Sequence, residues 1–412
     1  MRILPMNQFS NLKEDFPIFQ RDINGKKLTY LDSGATSQKP NSVIEKMNQV
    51  YKFTNANVHR GTYVLSAETT QEYEDVRNKC KSFLNASESD EIIFTKGTTE
   101  ALNFLANAIA NKFMTKGDEI ILSEIEHHAN IIPWQMVAEK FGLKINYVKI
   151  NKDFSLDLDD LKSKLSKKTK VVSIVGESNL SGMLPDIKEI NDIVKNNSEA
   201  LLIIDGAQLV PHRKVDVKEL GIDFLVFSGH KMLGPTGIGV VWGKKDLLDS
   251  LDPVYGGGDM IEEVHYDRAT WAPVPHKFEA GTPPYVEAIG LGAAIDYLEN
   301  LGMTEVEKHS DELREYGRQT LLDIDGVNVI HSQQEIAGCT FGMYVDGVHA
   351  SDLSLMLDTH GVAVRAGHHC VQPFHRKLGI DATIRSTAYI YNDKEDIDTL
   401  KSALVSSIEM LR

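Results

Sequence analysis

Cysteine is scarce in this chain. Only Cys80, Cys339 and Cys370 occur among 412 residues, an odd and sparse set that excludes a disulfide-rich framework. The pattern suits free thiols in a reducing compartment, so it predicts a cytoplasmic protein.

Long apolar runs and an excess of basic charge are also missing. No stretch approaches the roughly 18 uninterrupted apolar residues of a membrane span, and the opening MRILPMNQFSNLKEDF lacks the apolar core of a secretory signal. Lysine and arginine number 44 against 59 acidic residues, a formal net charge of −15. This balance disfavours broad binding to nucleic acid or to anionic membranes. We therefore expect neither partner.

What the middle of the chain does have is an alternation of strands and helices. Apolar runs predict strands at 91–95, 118–124, 144–150, 170–177, 201–207, 223–229 and 238–244. Helical patterns follow the first four of these runs. Nearly continuous Val, Ile and Leu in the strands predicts an α/β fold with a mainly parallel, seven-stranded sheet covered on both faces.

The alternation of strands and helices ends near residue 286, and the pattern after it predicts helices with a few short strands. We expect an N-terminal segment (1–22) that packs with the small domain, a large cofactor-binding domain (23–285) and a smaller α+β domain (286–412) that carries the Cys370 loop. The stretch 252–284 is long and poor in pattern, which is typical of functional or interface loops.

A lysine stands at the end of one predicted strand, in SGHKMLGPTGIG (228–239). A nucleotide-binding P-loop places its lysine after the glycines, whereas Lys231 precedes them. A lysine held on a turn suits a Schiff base with an aldehyde cofactor.

Pyridoxal phosphate needs further partners, and the sequence offers candidates for each. Asp205, at the tip of the strand in IIDGAQ, can pair with the ring nitrogen, and Gln208 can reach the ring hydroxyl. Thr98 and Thr99 follow Gly97 at a predicted helix start, which suits a phosphate. The alternative for Asp205 and for the Gly-Thr-Thr-Glu stretch is ordinary helix capping.

Two histidines follow the strand in SEIEHHANIIPW. A flat imidazole such as His127 can stack on a pyridine ring and move protons near neutral pH. Adjacent histidines point in different directions, which disfavours a metal pair, and His128 is equally well read as a loop histidine. We expect no metal site.

These motifs together resemble the class V aminotransferase group of fold-type I pyridoxal phosphate enzymes. The closest likeness is to cysteine desulfurases of the SufS type, including selenocysteine-lyase-like members. The similarity runs along nearly the whole chain, through YLDSGATSQKP, ANVHRGTY, KGTTEALN, EHHANIIPWQ, DGAQ, FSGHKMLGPTGIG, FEAGTPP and VRAGHHC.

The resemblance implies a role for each matching position. Lys231 would hold the cofactor and shuttle the α-proton, with Asp205 at the pyridinium nitrogen and His127 on the ring. The residues implied to bind phosphate are Thr99, Ser228, His230 and, from the neighbouring subunit of a homodimer, Thr282. The residues implied to hold the substrate are Asn179, Arg365, Arg385 and His59, and Asn179 is expected to contact the cofactor as well.

Cys370 stands in a loop after Gly367-His368-His369 rather than on an apolar face. Nearby cationic groups lower a thiol pKa, and Arg365 with the two histidines can provide such a field. A thiolate there can attack the sulfur of bound L-cysteine, leaving a persulfide on Cys370 and releasing L-alanine. An alternative for HHC-x-x-x-x-H, which ends at His375, is a metal site, although the spacing matches no familiar zinc pattern.

Two departures from the family pattern stand out. Gly176-Glu177 precede Ser178-Asn179 where many relatives have His-Val. In GVHASD, Ser351 precedes Asp352 where some relatives that pass sulfur to a zinc-bearing SufU partner have a histidine. This disfavours handover by zinc exchange and leaves a SufU-type or SufE-type acceptor open.

Three functions compete at this stage. The first is a cysteine desulfurase that supplies sulfur for iron–sulfur cluster assembly. The second keeps the cofactor but acts as a selenocysteine lyase or a cysteine-sulfinate-type lyase. The third is a non-catalytic scaffold, which the filled reactive positions Lys231 and Cys370 disfavour.

Overall fold

The computed structural model describes residue 9 and residues 11–412. Two 3₁₀ helices, Leu12–Asp15 and Pro17–Gln20, precede the short strands β1 (Asp22–Ile23), β2 (Lys26–Lys27) and β3 (Thr29–Tyr30). Helices α1 (Asn41–Gln49) and α2 (Val64–Phe83) follow. Residues 1–8 and 10 of the expected N-terminal segment lie outside the described residues.

Strands and helices then alternate through the part of the chain where the sequence predicts them. In chain order they are β4 (Ile92–Thr95), α3 (Thr98–Phe113), β5 (Glu119–Ser123), α4 (Ile132–Phe141), β6 (Lys144–Val148), α5 (Leu158–Lys164), β7 (Thr169–Val175), α6 (Ile187–Asn197), β8 (Leu201–Asp205), α7 (Leu209–His212), α8 (Val217–Leu220), β9 (Phe224–Ser228), β10 (Gly239–Gly243) and α9 (Lys245–Ser250).

The seven strands β4 to β10 form one sheet in the order β4-β10-β9-β8-β7-β5-β6. Strand β10 runs antiparallel to both of its neighbours, and the other pairings are parallel. Every residue of β9 is buried, as expected for a strand covered on both faces. The predicted α/β class with a mainly parallel seven-stranded sheet is confirmed.

Side chains at the helix ends explain several boundaries. The carboxylates of Asp157 and Asp186 cap α5 and α6 by accepting from the backbone N–H three residues on. Gly142 ends α4 in the left-handed conformation, at φ 68°.

The remainder of the chain contains a hairpin and a second sheet. The elements are β11 (Ile261–Val264), β12 (Ala269–Trp271), α10 (Tyr285–Leu301), α11 (Met303–Leu322), β13 (Val327–Ile330), β14 (Thr340–Val345), α12 (Ala350–Thr359), β15 (Val362–Ala363), β16 (Arg365–Gly367), α13 (Gln372–Leu378), β17 (Thr383–Thr387) and α14 (Lys394–Leu411). Strands β13, β14, β17 and β16 form an antiparallel sheet in that order.

The start of the chain joins this second sheet region. Strand β3 pairs in parallel with β15, and Asp32 forms a parallel bridge to Thr387 at the end of β17. The sequence predicts a boundary between residues 22 and 23, and that division stays a prediction. The pairing places residues 29–32 against the C-terminal part of the chain.

No helix among residue 9 and residues 11–412 is both long enough and apolar enough to cross a membrane.

Strand β9 offers a test of the core that supports the site. We expect Leu225→Ala, at a side chain with 0% exposure, to lower the free energy of unfolding by about 2–5 kcal/mol, since it leaves a cavity between closely packed layers. The matched variant Leu322→Ala, at a side chain that is 54% exposed, should change it by less than about 0.5 kcal/mol. Urea unfolding followed by fluorescence measures both; equal midpoints would contradict the assignment of Leu225 to the core.

Candidate active site

A cavity of about 190 Å³ lies beyond the ends of β7, β8 and β9. Ligands of open parallel sheets bind at this carboxyl edge of the strands. The cavity brings together twelve of the predicted site residues, namely Thr98, Thr99, His127, Asn179, Asp205, Gln208, Ser228, His230, Lys231, Arg365, Cys370 and Arg385.

The other two predicted residues, His59 and Thr282, do not line the cavity. His59 is exposed, its Nε2 lies 3.0 Å from Glu74 Oε1, and its backbone N–H donates to Thr70 Oγ1 at 2.8 Å. Thr282 is exposed on the loop before α10. Neither side chain reaches the cavity of its own chain.

Lys231 lies on a single 3₁₀ turn, Gly229–Lys231, directly after β9. The carbonyl oxygen of His230 receives four donors from residues 36–39: the Ser37 N–H at 2.9 Å, Thr36 Oγ1 at 3.0 Å, Ser37 Oγ at 3.1 Å and Lys39 Nζ at 2.9 Å. The Leu233 N–H in turn donates to Ser37 Oγ at 2.8 Å. The peptide that carries Lys231 is therefore held from a distant segment of the chain.

Burial changes the acid–base properties of the two central groups. It lowers the pKa of Lys231 to about 8, although the nearby Asp205 carboxylate opposes the change. Burial also raises the pKa of Asp205, opposed by a hydrogen bond from the Ala207 N–H at 3.0 Å and by Lys231. A lysine amine that is partly neutral near pH 8 can act as a nucleophile or a base.

The first turn of α3 meets the end of β9 at the cavity wall. Ser228 Oγ accepts from the Thr98 N–H at 2.8 Å and lies 2.8 Å from Thr98 Oγ1. A Cβ at Gly97, where φ is +151°, would lie 3.3 Å from Ser228 Oγ, so glycine allows this close approach. Hydroxyls and N–H groups at a helix N-terminus bind phosphate well.

His127 is held in one tautomer. Its Nδ1 accepts from the Ala129 N–H at 3.1 Å, so Nε2 carries the ring proton. Burial, and then the charge of Lys231, lower the pKa of His127 to about 3, which keeps the ring neutral. The preceding buried carboxylate, Glu126, accepts from the Val175 N–H at 2.9 Å and from Asn130 Nδ2 at 2.8 Å, and so ties this loop to β7.

Two arginines are neighbours on adjacent strands of the second sheet, because Arg365 on β16 pairs in register with Arg385 on β17. Like charges in this position repel, and the Asp32 carboxylate lies between them, 3.3 Å from Arg365 Nε and 3.0 Å from Arg385 Nη2. The buried Nε of Arg385 has no hydrogen-bond partner among the described residues. The pair therefore keeps donor capacity for an anionic ligand.

Asn179 and Cys370 also line the cavity, and Arg385 Nη1 donates to the Asn179 carbonyl at 3.2 Å. Asn179 Nδ2 donates to the His369 carbonyl at 2.7 Å, and its buried Oδ1 finds no partner among the described residues. The Cys370 side chain is exposed, whereas Cys80 and Cys339 are buried free thiols. Burial raises the pKa of both buried thiols to about 12, which leaves them unreactive near neutral pH.

The HHC-x-x-x-x-H segment is occupied by internal contacts. His375 Nδ1 lies 3.0 Å from the Val371 carbonyl, and His375 Nε2 lies 3.1 Å from Thr383 Oγ1. Both ring nitrogens are therefore engaged within the protein, and the ring is not available to a metal ion in this arrangement.

The cavity residues fit pyridoxal phosphate. Lys231 supplies an amine for an aldehyde, Asp205 a carboxylate for a pyridinium nitrogen, and His127 a neutral aromatic ring. The unsubstituted Gly97 and the hydroxyls of Thr98 and Ser228 form an anion cradle at the start of α3. Gln208 Nε2 donates to the Gly34 carbonyl at 2.7 Å, which fixes the side chain at the cavity wall.

Sequence reasoning missed several residues that organise the site. No role in the site is predicted for YLDSGATSQKP, yet Asp32 bridges the arginines and Thr36, Ser37 and Lys39 hold the Lys231 turn. The density of polar residues next to a glycine was the available signal. Glu177, noted only as a departure, lines the cavity and is buried, and burial raises its pKa to about 8.

The lowered pKa of Lys231 makes a prediction for protein stripped of cofactor. Lys231 should acylate with a pH midpoint near 8, compared with about 10.4 for an ordinary lysine, because burial disfavours the ammonium form. Asp205→Asn removes the charge that stabilises the ammonium, so the midpoint should fall further. Competitive labelling followed by peptide mass spectrometry measures both midpoints. A Lys231 midpoint above 10 would contradict the argument.

Comparison with known proteins places this geometry in a family. The model of the aminotransferase class-V family matches residues 29–400. A probable cysteine desulfurase of Halalkalibacterium halodurans is 46% identical over 398 residues, covering 97% of each chain. One from Synechocystis is 44% identical over 404 residues, covering 97% of this chain and 95% of the relative.

Solved structures agree. The cysteine desulfurase CsdA of Escherichia coli, in its S-sulfonic acid form, superposes with a TM-score of 0.91 at 36% identity, covering 98% of this chain and 99% of that one. The apo cysteine desulfurase of Thermococcus onnurineus NA1 gives 0.92 at 35% identity, covering 100% and 99%. The chain belongs to the class-V aminotransferase family, and it resembles that family's cysteine desulfurases along nearly its whole length.

Proposed function

We propose that this protein is a pyridoxal phosphate-dependent cysteine desulfurase that converts L-cysteine to L-alanine and retains the sulfur as a persulfide on Cys370. The observation that carries the proposal is that Lys231, Asp205, the two arginines and Cys370 line one cavity. Its relatives at 44–46% identity are named as probable cysteine desulfurases.

Nine side chains of the cavity would hold the cofactor: Thr98, Thr99, His127, Asn179, Asp205, Gln208, Ser228, His230 and Lys231. When bound, pyridoxal phosphate withdraws electrons from the substrate's α-carbon, which acidifies its C–H bond and weakens the bond from the β-carbon to sulfur. Burial, and then Lys231 and Lys39, lower the pKa of His230 to about 4, so this ring meets the phosphate as a neutral partner.

The substrate carboxylate would be held by Arg385, Arg365 and Asn179. Arginine binds a carboxylate through two parallel N–H groups, and Arg385 retains an unpartnered Nε while its Nη2 binds Asp32. Asn179 brings an unpartnered Oδ1, which can accept a hydrogen bond from an N–H or O–H group of the bound molecules. We propose that His59 contributes to substrate binding as well, and it lies outside the cavity of its own chain.

Lys231 Nζ would move the α-proton. A pKa of about 8 means that the amine gains and loses a proton near neutral pH, which suits a general acid–base group. His127, with its proton on Nε2, supplies a second donor in the cavity wall.

Cys370 Sγ would attack the sulfur of bound L-cysteine. The S–H bond of Cys370 and the bond from the substrate's β-carbon to its sulfur break, while a sulfur–sulfur bond forms. The β-carbon gains a proton, so L-cysteine and one thiol become L-alanine and one persulfide without an external oxidant or reductant.

The exposure of Cys370 also favours transfer of the persulfide to another protein. We propose an acceptor of the SufU or SufE type and, through it, a supply of sulfur for iron–sulfur cluster assembly. A cytoplasmic location, expected from the sparse free thiols, belongs to the same proposal.

We further propose a homodimer, supported by apolar side chains that stay exposed next to the 282–285 loop. Tyr51, Phe53, Tyr63 and Val64 are 54–72% exposed, and Tyr51 and Tyr63 both influence the pKa of Tyr285, so they lie close to it. Exposed apolar patches mark interfaces. Across such an interface the exposed Thr282 can reach the partner's phosphate site.

Cys370→Ala tests the sulfur chemistry. The variant should keep its visible cofactor band but lose at least about a hundredfold in alanine formation from L-cysteine, because the sulfur then lacks its nucleophile. Cys339→Ala, at a thiol that is 3% exposed, is the matched control and should keep near-native turnover. Alanine is measured by amino-acid analysis. Unchanged turnover in Cys370→Ala would exclude the thiol mechanism and favour the lyase alternatives.

Val64→Asp tests the dimer. A charge at this 71% exposed position should weaken self-association at micromolar concentration, since a buried interface disfavours an unpaired carboxylate. Leu355→Asp, at a 68% exposed position on α12, should remain dimeric. Sedimentation velocity measures both, and a monomeric native protein would refute the proposal.

A further inference from the structure

The loop that carries Cys370 has an unfavourable backbone. His369 and Cys370 adopt φ values of 51° and 59°, two consecutive left-handed residues without a glycine. Such conformations persist only where the surrounding structure holds them in place. The contacts around this loop therefore decide where the thiol lies.

On one side, the cavity wall and the second sheet hold the loop. Asn179 Nδ2 donates to the His369 carbonyl at 2.7 Å. His369 Nε2 lies 2.9 Å from Thr383 Oγ1 on β17. These contacts fix the residue before Cys370.

On the other side, one histidine makes two contacts. The His128 N–H donates to the Cys370 carbonyl at 2.8 Å. The ring Nε2 of His128 accepts from the N–H of Gln372 at 3.1 Å, where α13 begins. The ring thus caps a helix from a segment more than two hundred residues away, and the two bonds hold the backbone directly after Cys370.

His128 is in a state that permits this contact. Burial, and then the nearby His368, lower the pKa of His128, which favours the neutral ring, the form in which Nε2 can accept. A second link supports the same pairing, since Lys377 of α13 forms an ion pair with Glu124, four residues before His128. His128 does not line the cavity, so its contacts with the Cys370 loop are separate from the cavity wall of its own chain.

We propose that His128 is a positioning residue that holds the Cys370 thiol at the mouth of the cavity through the Gln372 N–H. The proposal rests on the proposed desulfurase function. It assigns to the second histidine of the EHHAN motif a purpose distinct from that of His127.

Two substitutions at His128 separate positioning from general stability. Phenylalanine keeps the ring shape and removes the acceptor, whereas glutamine places an amide oxygen near the position of Nε2. In holoenzyme, His128→Phe should lower kcat for L-cysteine by about 10- to 100-fold, with KM changed less than about twofold, since displacement of a reacting group costs rate rather than binding. His128→Gln should recover most of that loss.

A second substrate provides the internal control. L-Cysteine sulfinate loses its sulfur as sulfur dioxide without attack by a thiol, so His128→Phe should leave its turnover near native. His349→Phe removes another capping ring, whose Nδ1 accepts from the Ser351 N–H at 3.3 Å on α12, and should leave both activities unchanged.

Hydrogen exchange provides a readout that does not need activity. Peptides that span residues 368–376 should exchange faster in His128→Phe and at the native rate in His128→Gln. Native exchange and native kcat in His128→Phe would overturn the proposal. An equal loss of activity on L-cysteine and on L-cysteine sulfinate would overturn it as well. If the native holoenzyme formed no alanine from L-cysteine, the proposed function would fail, and the exchange contrast would still decide whether His128 holds the loop.

Discussion

The carbonyl oxygen of His230 is the point on which the site depends. Four donors from residues 36–39 meet at this atom, and the next residue is Lys231. The turn after β9 has hydrogen bonds of its own, from the N–H groups of Met232 and Gly234 to the Gly229 carbonyl, and residues 36–39 hold it from outside. Asp32 lies four residues before this segment and pairs with both arginines. The position of the reactive amine and that of the arginine pair are therefore set by one stretch of chain.

Burial shifts the pKa values of four residues that line the cavity. It lowers the pKa values of Lys231, His127 and His230 and raises that of Asp205. Each change favours the neutral form, because a buried charge loses its hydration. The Lys231 amine becomes available near neutral pH, and the two imidazoles remain uncharged beside cationic groups. The opposite charges of Asp205 and Lys231 limit both shifts.

The two reactive side chains differ in exposure. Lys231 lies within the cavity, where burial lowers its pKa, whereas Cys370 is exposed at the mouth. An amine that exchanges protons works best away from bulk water. A thiol that passes sulfur onward must be reachable. The Cys370 loop meets both requirements, because Cys370 lines the cavity and is also exposed to solvent.

The sequence alone predicted the seven-stranded sheet, the lysine turn and most of the cavity wall, because unbroken apolar strands and glycine-rich turns depend on local residues. It did not predict the hairpin β11–β12 in the stretch 252–284, where alternation is weak. Nor did it predict that Asp32 bridges Arg365 and Arg385, that residues 36–39 hold the His230 carbonyl, or that His128 holds the backbone directly after Cys370. Those contacts join residues up to 353 positions apart, and only the packing of distant segments brings their atoms within hydrogen-bond distance.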